Sequence, residues 1–153
     1  MSPIGRAIDL AIYVLSAIGL LISASLLVAE FLAFSGLEID AVAELKVFNL
    51  ALAFVTGLLF SVHYGRLTSD RSEKQIESVR YAGCPKWMQM SCVIIVSCGV
   101  IAFFLPLLLK IFGRVGVDDG SQLPSTLSAG FGLMVHGALP AQIYSVRHLT
   151  PHG

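Results

Sequence analysis

The sequence predicts an all-α integral membrane four-helix bundle, with both termini on the cytoplasmic side and a short cytoplasmic helix between the second and third spans. Three observations carry that reading. The 153 residues are 56% hydrophobic and only 13% charged, with a mean hydropathy of +0.81, whereas a soluble domain carries about a quarter charged residues. The few charges lie between four long apolar runs, and the basic ones favour one set of loops over the other. Lipid is the natural solvent for such a chain.

The first run covers 8–34, with Asp9 near its start, Glu30 near its end, and Ser35-Gly36 breaking it. It is too long for the apolar region of a cleaved signal peptide, and Leu27 and Ala29 make a poor small-x-small cleavage site. It therefore reads as a retained helix. The second run covers 43–64, with Asp40 placed to cap it and Glu44 in its first turn. The third covers 88–112 and the fourth 123–146. Each is about 20 residues or longer, enough to cross a hydrocarbon core of about 30 Å at about 1.5 Å per residue. Lipid offers backbone groups no partners, so helices are the spanning form. Runs such as Cys92-Val93-Ile94-Ile95-Val96 lack the alternation that a membrane strand requires.

Orientation follows from the basic residues. Arg6, Arg66, Arg71, Lys74, Arg80, Lys86 and Arg147 fall on one side, and Lys46, Lys110 and Arg114 on the other. The positive-inside rule makes the richer side cytoplasmic. Four spans then return both termini to it. Trp87, Tyr64 and Tyr144 sit near that boundary as interface anchors. A bacterial inner membrane fits the charge bias and the lack of a targeting peptide.

The outer links are 35–42, short and acidic, and 113–123, with Gly116 and Gly120 followed by Pro124. Asp118-Asp119-Gly120 lacks the alternating acids and later Glu of a calcium loop and reads as a solvated turn. The central link, 65–87, is the one substantial soluble segment. Ser72 with Gln75 resembles a capping box, and Gly83 with Pro85 makes a stop. Between them, 72–82 can form about three turns, with Ile76 and Val79 on one side and Glu77 placed to pair with Arg80. Arg71, Lys74, Ile76, Val79 and Arg80 would form a docking surface for a cytoplasmic partner or anionic headgroups. The plainer alternative is a connector that satisfies the positive-inside rule.

Several chemistries find no support. Net charge is zero and no nucleic-acid motif is present. Cys84, Cys92 and Cys98 are odd in number and lack C-x-x-C spacing; Cys92 and Cys98 fall on different faces of one helix, so all three read as small packing residues. Nucleophile-elbow, zinc-protease and phosphate-loop motifs are absent, which points away from an enzyme. No cofactor is expected: His63 lies at the inner end of its span and His136 about 15 Å deeper, a poor match for two haem ligands, so a haem-binding membrane redox subunit is the least favoured of the functional readings. His63 and His148 match in depth, but at the water interface. Asp9 and Glu30 are placed at span ends within reach of water, and a relay of acids would need carboxylates at mid-depth, where none occurs.

What remains is polar chemistry and packing inside the spans. Asn49 and Thr56 lie on the second, and His136, Pro140 and Gln142 on the fourth. Pro140 clashes with the carbonyl of His136, so a kink is expected there. With Gly132 and Gly137 nearby, that kink would open a small cavity or ligand pocket. Alternatively, His136 hydrogen-bonds Asn49, Thr56 or a serine as packing glue. Small residues four apart mark grooves for close helix approach: Gly19 and Ser23 on the first span, Ala53, Gly57 and Ser61 on the second, Ser128 and Gly132 on the fourth. Beyond membrane lipid, the expected partner is another membrane protein or a second copy. The leading expectation is thus a non-enzymatic accessory subunit, or a protective or regulatory partner, of a membrane complex. The alternative is an oligomeric small-solute transporter or channel with its path near His136 and Pro140.

Overall fold

The structure, a computed structural model, describes residues 3–34, 42–69, 71–111 and 125–149. Over these residues it is all-helical: α1 (Pro3–Phe34), α2 (Val42–Thr68), α3 (Glu73–Val79), α4 (Lys86–Ile111) and α5 (Ser125–Leu149). The two links expected on the outer face, 35–41 and that with Asp118-Asp119-Gly120, lie outside the described residues.

Three helices carry stretches long and apolar enough to cross a membrane: Pro3–Ala33, Val42–Thr68 and Lys86–Phe104. α5 is as long, but serines, His136, Pro140 and Gln142 dilute it. Packing explains how that composition is tolerated. α5 lies at the centre and packs along α4, α1 and α2; α1 and α2 also pack on each other. α4 has no comparable contact with either of them. The array is a three-helix core with α4 laid against α5, and its least apolar long helix is enclosed by the three most apolar.

Polar side chains are nearly as frequent as apolar ones among the buried residues, while the outside is oily. On α2 the buried residues are Asn49, Ala53, Thr56, His63 and Thr68, while Phe48, Phe54, Val55, Leu58 and Val62 are exposed. α1 likewise turns Asp9, Ile12, Ser16, Ser23 and Leu26 inward and Leu10, Leu21, Val28 and Phe31 outward. A chain folding in water gains its stability from the opposite distribution. In lipid, apolar outer faces cost nothing and inward polar groups hold helices together.

Close helix approach occurs where glycines face glycines. A Cβ on Gly130 would lie 2.5 Å from the Phe103 nitrogen and 2.6 Å from the Gly99 oxygen, so α4 and α5 meet backbone to backbone there. Sequence spacing overlooked this pair. Gly19, Ser23, Ser128 and Gly132 all lie inside the α1–α2–α5 core. The run on α2 behaves differently: Ala53 is buried, but a Cβ on Gly57 would meet nothing within 4 Å and Ser61 is exposed. Steps of four residues advance about 40° beyond a full turn, so by Ser61 the run has rotated away from the core.

In the link, the Gln75 Oε1 accepts from the Ser72 N–H at 3.0 Å, as the capping pattern requires. α3 ends at Val79, short of the expected 82. Arg71 and Ile76 are half-buried, and Lys74 and Arg80 exposed; the side chain of Val79 lies outside the described set.

Candidate functional site

The inward polar residues of α1, α2 and α5 form a seam with two bonded ends and an unbonded middle. One end is ionic. His63 Nε2 lies 2.7 Å from Asp9 Oδ1, and the Arg147 Nε–H donates to Asp9 Oδ2 at 2.9 Å. Arg147 Nη2 is 3.3 Å from the same imidazole nitrogen. Each partner comes from a different helix: Asp9 from the start of α1, His63 from the last turns of α2, Arg147 from the last turn of α5. This end therefore gathers the start of α1 and the ends of α2 and α5.

The position of Asp9 corrects the expectation that water reaches it, and His63, beside it, is covered by protein as well. Asp9 is 8% and His63 5% exposed, because each covers the other. Depth matching across the spans was the signal available in the sequence. An acid, a histidine and an arginine each stand near the same end of a different run.

The other end is built on a carboxamide. The Ser23 hydroxyl donates to Asn49 Oδ1 at 3.1 Å, and Asn49 Nδ2 donates to the Ser128 carbonyl at 2.9 Å. The Ser128 hydroxyl donates to the Lys46 carbonyl at 3.0 Å. Asn49 thus ties all three helices. It can do so because Gly132 stands opposite: a Cβ there would collide with the Ser23 hydroxyl and lie 2.6 Å from Asn49 Nδ2.

Between the ends sits His136, fully buried, with neither ring nitrogen bonded to any described residue. Its ring packs directly on Gly19, where a Cβ would collide with it. Gly19 is about 15 Å along α1 from Asp9, so His136 lies deep between the two clusters. The Ser16 hydroxyl, one turn from Gly19 and 1% exposed, is likewise without a bond among the described residues. The expected bond from His136 to Asn49, Thr56 or a serine is not made. Asn49 is taken by Ser23 and Ser128, and Thr56 returns its hydroxyl to the Leu52 carbonyl at 2.7 Å. Nor do the glycines leave a cavity: Ser23 and Asn49 fill the space beside Gly132, and Ile95 that beside Gly137. α5 runs through Pro140 as one helix.

The segment from Tyr81 to Cys84 clamps the last turns of α5. The Gly83 N–H donates to the Ser145 hydroxyl at 2.8 Å, and the Cys84 thiol to the Ala141 carbonyl at 2.9 Å. Gln142 Nε2 donates to the Tyr81 hydroxyl at 3.1 Å, so Gln142 serves this clamp and not the seam. Burial pushes the Tyr81 hydroxyl and the Cys84 thiol up from their ordinary values, which keeps the thiol a donor.

His148 is exposed and stacked on Tyr144, with ring centroids 3.8 Å apart, while His63 is bound to Asp9. Cys84 and Cys92 are buried and Cys98 is exposed; no disulfide joins them. Among the described residues, no group of three or more His, Cys, Asp or Glu side chains is placed to hold a metal ion. No protein-family model, curated protein or solved structure matches this chain.

Proposed function

We propose that the protein is a non-enzymatic membrane transporter or channel whose path follows the α1–α2–α5 seam past His136 and Pro140. The observation that carries it is His136: a fully buried imidazole whose two nitrogens bond no described residue, on the helix that the others enclose. Polar groups in hydrocarbon are costly, and one held without a protein partner marks a place where something else binds or passes. The bonded ends act as seals on either side. The polar groups belong to one copy, so the path does not need the several copies that four helices would otherwise require. Four spans with both termini and the 65–87 link in the cytoplasm, in a bacterial inner membrane, complete the arrangement; the seven-to-three basic asymmetry supports it. The test is reconstitution into liposomes. Flux above that of protein-free vesicles, lost in His136→Ala, is the expected result. Absence of flux of any species from folded protein removes the proposal.

A second reading is an accessory or regulatory subunit acting by helix association. It is supported by Gly57 and Ser61, which face outward on α2, and by α4, whose main packing among the described residues is against α5. Arg71, Lys74, Ile76, Val79 and Arg80 on the link would then serve a cytoplasmic partner. A lone monomer with no co-purifying protein after mild solubilisation removes this reading.

A further inference from the structure

We infer that the species carried along the seam is the proton, an assignment that rests on the transport reading above. Space is the first ground. The atoms nearest the route are in contact: the His136 ring fills the place of a Gly19 side chain, and Ser23 and Asn49 that of Gly132. A solute larger than water has to displace them.

Charge is the second. A metal cation sheds its hydration only to several oxygen ligands. The carboxylate in the seam, Asp9, has one oxygen on His63 and the other on Arg147, and the Asn49 carbonyl oxygen already accepts from Ser23. An anion needs a cation, and Arg147 is committed to Asp9. The seam therefore has no prepared ligand set for either ion among the described residues.

The proton needs neither room nor a ligand set. A relay of acids is ruled out by the absence of mid-depth carboxylates, but an imidazole does the same work. It takes a proton on one ring nitrogen and releases one from the other, and rotation of the ring or return transfer resets it. Each step breaks one N–H or O–H bond and forms one, so nothing is consumed. His136 offers both nitrogens for this. The Ser16 hydroxyl, one turn from Gly19 towards Asp9 and likewise unbonded among the described residues, serves as the next group, with water carrying the proton between them. A buried water needs two to four polar partners, and the unbonded atoms of His136 and Ser16, on two helices, can supply two of them.

The experiment uses the full chain in liposomes with an internal pH-sensitive dye and a potassium diffusion potential as driving force. Parallel vesicles report sodium, chloride and glycerol. Proton entry well above protein-free vesicles is expected, with the other three at background. His136→Gln, close in size but unable to relay, is expected to cut proton entry about a hundredfold, the scale of a positioned proton carrier. Ser16→Ala is expected to lower it as well, and serves as the second variant if His136→Gln does not fold. Sodium, chloride or glycerol entry comparable with that of protons overturns the proton assignment and leaves transport standing. Proton entry unchanged in both folded variants also overturns it. Failure of all four fluxes overturns the transport reading beneath it.

Discussion

At one end of the seam a carboxylate is held by an imidazole and a guanidinium; at the other a carboxamide is held by a hydroxyl and a carbonyl. Both join α1, α2 and α5; the amide end is fully buried, while at the ionic end Asp9 and His63 are buried and Arg147 keeps 22% of its side chain exposed. They differ in what happens when one member is lost. Removing a neutral partner leaves dipoles that can turn to a backbone carbonyl, as Thr56 does. Removing Asp9 leaves a guanidinium that cannot lose its charge. The ionic end is therefore the one whose integrity depends on all of its parts, and the amide end is the more tolerant lock.

The largest expected effect follows directly. Asp9→Ala is expected to cost about 3 kcal/mol of stability, because it strands a mostly buried charge. Asp9→Leu combined with Arg147→Met, which removes both charges, is expected to recover most of that loss. Thermal unfolding in detergent measures both. A thiol-reactive dye is a convenient reporter, since Cys84 and Cys92 are buried in the fold and Cys98 gives a constant background. If Asp9→Ala proved no more costly than a change at Asn49, the contrast between the two ends would be wrong.

Next in size is Gly132→Ala. The added methyl collides with Ser23 and crowds Asn49, and overpacking of this kind costs about 1–3 kcal/mol. Asn49→Leu removes bonds to two helices; interhelical bonds in membranes average about 0.6 kcal/mol each, so a loss of about 1 kcal/mol is expected. An Asn49→Leu loss as large as that of Asp9→Ala would make the amide end the principal lock.

Much of the helical layout was legible because apolar length is a strong signal and lipid forbids most alternatives. The expected spans 8–34 and 88–112 correspond to Pro3–Phe34 and Lys86–Ile111, and Ser72 with Gln75 marked α3. The central place of α5 was hidden because hydropathy ranks helices by composition, whereas enclosure depends on which helix the others surround. Of the site, His136 could be singled out by its depth alone. Its lack of a bond could not, because that depends on Asn49 and Thr56 having found other partners. The ionic end was missed because Asp9, His63 and Arg147 were each judged within their own span. A residue near a span end reads as water-accessible until its neighbours at the same depth are set beside it.

Gly57 provides the finest test, by repeating the chemistry of Gly132 on a surface the fold leaves open. A side chain added there meets nothing within 4 Å in this chain. Gly57→Leu is accordingly expected to change monomer stability by no more than about 0.5 kcal/mol, as surface changes usually do. Gly132→Ala, a much smaller change, costs more because it acts within the core. The same variant separates the two functional readings. If the outward small-residue face of α2 receives another helix, Gly57→Leu abolishes co-purification or self-association while the monomer stays folded, since close approach requires the small residue. If α2 meets only lipid, the variant migrates, unfolds and conducts as the unmodified chain does, and association through that face is excluded.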